Sequence, residues 1–396
     1  VYALNNTDYV IRQYNSAKRA AATGDQTEQT GASSNWEDVP ADGVLQAGKG
    51  YIIQAANNTT NDNGSSNDAV VVFPSRNTVT KNRLFTSNDI IVPLEEYAAE
   101  FAHNRSWNLV GNPYPCYFSM NQLKDEFYSP IVLWIGDSYQ AYSPIDDDII
   151  LRPYESFFVQ RPIDVEQMVF GAEGRMHYND ALKATQADSQ KPGVNSAPAR
   201  SIDGAQRNVF NFTIEGCGSD NRTRIVLNEK ASMGYDSSRD AAKFFASKPS
   251  GAEIYVDADV KYDICERPLA DGTAQLAIRT AKAGEYTITL SGRYTADWTV
   301  MLTDRETGTT VNLCEGAYTF EAAAGTTAGR FQISFKSPLT AIDAIAAEIG
   351  ADAEVTVVNT AGMTVFSGSY AEFKTKAQAG IYVVVCGEKT YKTVIK

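Results

Sequence analysis

A chain of 396 residues is long for one hydrophobic core, and 43% apolar residues, with 21 Tyr and 17 Phe, supply roughly two or three. Its 35 basic against 48 acidic residues give a formal charge of −13, which argues against a nucleic-acid backbone or an anionic membrane surface as the main partner. No stretch reaches the roughly 18 apolar residues of a membrane-spanning helix, and Cys116, Cys217, Cys265, Cys314 and Cys386 are too scattered for a CxxC zinc or thiol-exchange site, leaving open a Cys265–Cys314 pair in an oxidising compartment.

The chain opens VYALNNTDYV without Met, a basic segment or an apolar run. A signal peptide is therefore expected to have been removed before Val1, and the chain reads as the C-terminal portion of a longer protein. Residues 1–183 form the first unit, in which DYVIRQYN, GKGYIIQA, AVVVFPS, SWNLVGNPYP, IVLWIGDSYQAY and ESFFVQRP are strand-like runs between polar turns. TGDQTEQTGASSN and NNTTNDNGSSND are too polar and Gly/Ser-rich for regular structure and read as protruding loops; EEYAAEFA and MNQLKDEF suffice only for single helical turns. In SWNLVGNPYP, alternation puts Trp107 and Leu109 on one face, and Gly111, Pro113 and Pro115 stop the strand.

Residues 184–206 lack any aromatic and are rich in Ala, Ser, Pro, Gly and Gln, so they read as a linker that protease should cut. Residues 207–337 form a second strand-rich unit. There Tyr286, Ile288, Leu290 and Phe331, Ile333, Phe335 alternate as a two-sheet sandwich requires, and SSRDAAKFFA is the one expected helix. Residues 338–396 read as an Ig-like β domain of short strands broken by TAG, SGS and CGEK. Val355, Val357, Val365, Val383 and Val385 are its expected inward residues, with Gly380 at the turn into the GIYVV strand, where a bulkier residue is strained if the backbone angle is positive, and KTVIK as the last strand. The phrases QAGKGYII, KAGEYTIT and QAGIYVVV echo one another without the fixed period of a solenoid. The expected fold is all-β: tandem antiparallel β-sandwich domains, jelly-roll or Ig-like, followed by a small C-terminal β-sandwich.

IVLWIGDSYQAY places Gly136, Asp137 and Ser138 after an apolar strand, which resembles the first block of GDS-type lipases and esterases. That family needs a later DxxH; His103 precedes the serine, and His177 has Gly174 where the Asp would stand, so a hairpin around an IGDS turn is the better reading. TAGMTVFSG leads into a strand where a phosphate loop would need a helix. No catalytic residue and no cofactor are assigned. Asp146, Asp147 and Asp148 form either a solvated turn or, as the one metal candidate, a calcium seat at a loop mouth. Trp134, Tyr139 and Tyr142 alternate around the hairpin. They either stack on sugar rings or serve packing, with Trp134 in the core and the tyrosines as half-buried cross-strand partners.

The tail EVTVVNTAGMTVFSGSYAEFKTKAQAGIYVVVCGEKTYKTVIK, with a GIYVV strand, a turn and a basic terminal strand, resembles the C-terminal sorting domains of secreted and surface proteins of Bacteroidetes. AGKGY, WNLVGNPYP and ESFFVQRP resemble a module of large surface proteins from the same group, and DNRTRIVLNEKASMGYDSSRDAAKF a sandwich that precedes their tail. The resemblance implies an extracellular or outer-surface location. It also implies delivery by outer-membrane secretion machinery that reads the tail, with Gly380, Tyr382, Lys392 and Lys396 as its candidate residues. The function it implies is non-catalytic interaction or adhesion toward an extracellular protein or glycan; the alternative is a carbohydrate-binding accessory region of a secreted glycan-degrading enzyme.

Overall fold

The computed structural model describes residues 9–22, 35–40, 43–55, 89–124, 127–136, 138–177, 194–196, 207–246, 250–268, 272–294, 298–336, 345–346, 348–387 and 389–395. Two compact units emerge: Val1–Tyr294 with Val300–Ser334, and Thr295–Thr299 with Phe335–Lys396. Strands dominate both, as the short alternating runs require. AVVVFPS and nearly all of the two expected polar loops lie outside the described residues.

In the first part of the larger unit, a four-stranded sheet is ordered Trp107–Gly111, Ser156–Gln160, Ile131–Ile135, Ser138–Tyr142. A second is ordered Arg175–Met176, Tyr117–Ser119, Asp147–Leu151, Val194–Ser196, so part of the expected linker is a strand; its remaining residues lie outside those described. Phe118, Ile131, Leu133, Ile149, Phe157 and Phe170 share the core of this region. The GKGY and WNLVG segments meet directly: Gly50 donates to Leu109 O at 2.8 Å, and a Cβ on Gly50 would lie 2.4 Å from Leu109 Cγ, so only glycine fits. Asn112 then fixes the corner, its Nδ2 donating to Cys116 O and Arg152 O at 2.8 Å each.

Residues 207–336 build one large sheet. Its path runs Thr309–Asn312, Thr299–Asp304, Gly325–Lys336, Gly272–Thr280, Ala252–Asp257, Lys261–Pro268, Ser219–Asn228, Arg207–Gly216, Gly284–Arg293, Tyr318–Ala322. The path rolls back on itself, since Phe320 on the last strand packs on Phe331 of the third at 4.7 Å between ring centres. Two details differ from expectation. Arg224–Asn228 and Ile264–Pro268 pair in parallel, and SSRDAAKFFA is not a helix. There the Asp236 and Asp240 side chains take backbone N–H groups in a turn, Ala241–Ala242 pairs with Lys261–Pro268, and both Phe244 and Phe245 are buried.

In the C-terminal unit the sheet order is Thr364–Ser369, Glu354–Asn359, Gly380–Cys386, Lys389–Ile395. Val355, Val357, Tyr370, Phe373 and Val384 close its core. Val355 and Val357 point inward as expected, but Val365 is 49% exposed and Val383 and Val385 are half-buried. Register decides this: Val357 faces Phe366 on one side and Val384 on the other, which turns Val365, Val383 and Val385 to the opposite face. The helix Tyr370–Lys376 escaped the sequence reading. Ser369 caps it by accepting from Glu372 N at 3.3 Å, and S-x-x-E was its available signal.

Candidate functional site

Ile131–Ile135 and Ser138–Tyr142 form the expected hairpin, turning at Gly136 with φ of +65°; Asp137 lies outside the described residues. Ser138 is buried, and its Oγ accepts from Asn221 Nδ2 at 3.2 Å; among the described residues this partner is an amide where a nucleophile would need an imidazole. His103 is buried beside Phe101 and Tyr235, and His177 is exposed.

Trp134 is the outermost member of a connected set of rings. It is 48% exposed and meets Tyr139 edge-on at 4.7 Å; Tyr139 in turn contacts Phe158 and Phe244, at 6.1 and 5.6 Å. Behind them Phe244 packs on Trp107 at 4.7 Å, and the buried Arg19 guanidinium stacks over both rings, 4.5 Å from Phe244 and 5.0 Å from Trp107. Burial pushes the Tyr139 hydroxyl up to about 12, so it stays a neutral phenol. The packing alternative holds for Tyr139, the half-buried cross-strand partner of Trp134, and fails for Trp134, which is exposed. Tyr142 is buried under Arg222, which sits 5.0 Å over its ring, so it belongs to the junction behind the hairpin.

That junction is charged. Ser138–Tyr142 ends its sheet, and side chains meet its free edge: Asp263 accepts from Ala141 N, Arg222 donates to Ala141 O at 3.0 Å, and Lys243 donates to Tyr139 O at 3.4 Å. Gln140 completes the contact, donating to Arg222 O at 2.8 Å and accepting from Arg222 N at 2.9 Å. The side-chain amide does what a paired strand would do.

Asp146 and Asp147 belong here, which corrects the solvated-turn reading of them. Asp146 and Asp147 are buried, so they form no solvated turn. Arg207 binds Asp146 at 2.8 Å and Arg293 also reaches it, while Arg224 grips Asp147 through both oxygens at 2.7 and 2.8 Å. A calcium ion would have to displace these guanidinium groups. Asp148, half-buried, accepts from Asn121. No cluster of three or more metal-ligating side chains occurs among the described residues. Burial alone would raise the Asp147 carboxyl, but Arg224 and Arg222 outweigh it and hold it low. Farther in, Asp240 accepts N–H bonds from Asp236 at 2.8 Å and Glu266 at 2.6 Å, yet burial lifts it to about 7. Sequence reasoning missed the arginines. Their signal was Arg222 and Arg224 sharing one strand face in a chain carrying three consecutive aspartates.

In the C-terminal unit, Gly380 opens its strand. Its φ is not among the positive ones; a Cβ there would meet the Tyr382 ring at 3.2 Å, so the constraint is contact and not a left-handed backbone. Tyr382 packs against Phe373 at 5.6 Å and donates to Gln378 O at 3.0 Å. Lys392 is exposed, and Lys396 lies outside the described residues.

The chain is thus an all-β protein in which an aromatic hairpin is clamped by buried charge onto a large rolled sheet. Residues 134–335, just over half of the chain, match a family described as a domain of unknown function, DUF8693, and the chain belongs to it. No curated protein and no solved structure matches the chain. The matched segment begins at Trp134 and contains both sides of the charged junction.

Proposed function

We propose that this chain is a non-catalytic interaction module, displayed outside the cell, whose recognition surface includes Trp134 and Tyr139. The exposure of Trp134, on a hairpin that packed rings and buried ion pairs hold rigid, carries the reading. A large aromatic kept half in water by a fixed scaffold loses little freedom when it meets a partner. Its edge-on neighbour gives two ring surfaces of different orientation, which suits a sugar ring or an aromatic side chain. In this reading the C-terminal unit serves as the export address, through its sequence resemblance.

A glycan array probed with wild type and Trp134→Ala tests the ligand class. Binding lost in the variant, whose stability should fall by only about 1 kcal/mol through loss of the Trp134–Tyr139 ring contact, supports the surface. Hits confined to plant or microbial polysaccharides would favour the accessory role beside a glycan-degrading enzyme. Binding unaffected by the substitution moves the surface elsewhere.

A further inference from the structure

Lys243, Asn221 and Asp263 meet in the buried junction with their side chains closed off from water. They come from three segments: Lys243 follows the short strand Ala241–Ala242, Asn221 lies in Ser219–Asn228 and Asp263 in Lys261–Pro268. Lys243 Nζ is 2.8 Å from Asn221 Oδ1 and 3.0 Å from Asp263 Oδ1. The backbone N–H of Ile254 donates to the same Asn221 oxygen at 3.0 Å, and Asn221 Nδ2 points to Ser138 Oγ at 3.2 Å. An amine, a carboxamide, a proton acceptor and an oxyanion donor therefore converge where water does not compete.

We propose that Lys243 and Asn221 join in an intramolecular amide cross-link, with Asp263 as its general acid–base. The Nζ lone pair adds to Cγ of Asn221. Negative charge develops on Oδ1, where the Ile254 N–H stabilises it, and the adduct collapses by breaking the Cγ–Nδ2 bond. Asp263 relays two protons in turn from the Lys243 ammonium to the departing nitrogen, which leaves as ammonium, so the carboxylate ends as it began and no oxidant or reductant is needed. Burial raises the Asp263 carboxyl against the lowering effect of Lys243, which suits a group that must hold a proton in passing. The alternative occupant of the same geometry is a plain buried ion pair, which leaves the covalent chain unchanged.

Intact mass of the purified full chain decides between them. The expected value lies one ammonia below the sequence mass. Tryptic residues 208–222 and 240–261 should be recovered as one joined species, because Lys243 is no longer a cleavage site and Lys248 precedes proline. Asp263→Asn, close in shape, and Lys243→Met should both return the full mass. A wild-type chain at its full sequence mass overturns the proposal, and this measurement needs no variant to fold. A loss of one water with Lys243 joined to Asp263, or an ammonia loss that persists in Lys243→Met, overturns it equally.

Discussion

At the 131–142 hairpin, the free backbone edge is met by buried Lys243 and Asp263 and half-buried Arg222, whereas in the C-terminal unit Val357, Val384, Tyr370 and Phe373 close an apolar core. The ion pairs of that second unit, Lys389 with Glu348 and Lys376 with Glu372, stand in water and contribute little. The difference lies in what each region tolerates. Buried charge costs desolvation and stabilises only while every partner is present, so the hairpin junction has a sharply defined geometry and a brittle energy. An apolar core loses stability in proportion to the contacts removed and is indifferent to pH.

The largest effect is expected at Arg224. Arg224→Met strands Asp147 without its bidentate partner and should cost about 3–5 kcal/mol in urea unfolding, while adding Asp147→Leu should recover most of that loss. A single variant no worse than the double would show that the pairing is incidental. Phe373→Ala should cost about 3 kcal/mol, with raised hydrogen exchange confined to the C-terminal unit. Protection lost throughout residues 207–334 would erase the distinction between the regions.

Their pH responses sharpen it further. Asp240 is raised to about 7, so between about pH 4 and 7 the folded chain holds a proton that the unfolded chain has released. Stability of the larger unit should fall by roughly 4 kcal/mol as pH rises through that window, then level off, and Asp240→Asn should flatten the curve. Asp304 acts oppositely: its contribution is complete above about pH 4 and is lost as pH falls toward about 2, because hydrogen bonds from Arg330 and Tyr318 outweigh burial and hold its carboxyl down at about 2. Exchange in the C-terminal unit, corrected for intrinsic rates, should not follow the Asp240 step. The smallest effect is Gly380→Ala, within about 1 kcal/mol by thermal unfolding, since only the Tyr382 ring must shift. A larger loss would mean that the strand entry is strained.

The all-β architecture was legible because alternation and turn residues are local signals: Phe331, Ile333 and Phe335 are buried as their spacing requires. The hairpin was legible for the same reason. Strand parity in the tail was not, since each residue of VVV fits either face until Val357 chooses Val384 as its neighbour. Nor was the fate of Asp146 and Asp147. Their arginines lie 61 and 77 residues away, and nothing local distinguishes a solvated carboxylate from one awaiting a distant guanidinium. SSRDAAKFFA misled because its helical composition was overruled by two side-chain turns and a strand partner.

The hairpin edge, met by the side chains of Asp263, Arg222 and Lys243 instead of a strand, makes the order of folding matter. Until residues 207–268 cover it, Ser138–Tyr142 is a bare strand edge. Delayed completion of the large sheet should therefore show itself as pairing of this edge between copies.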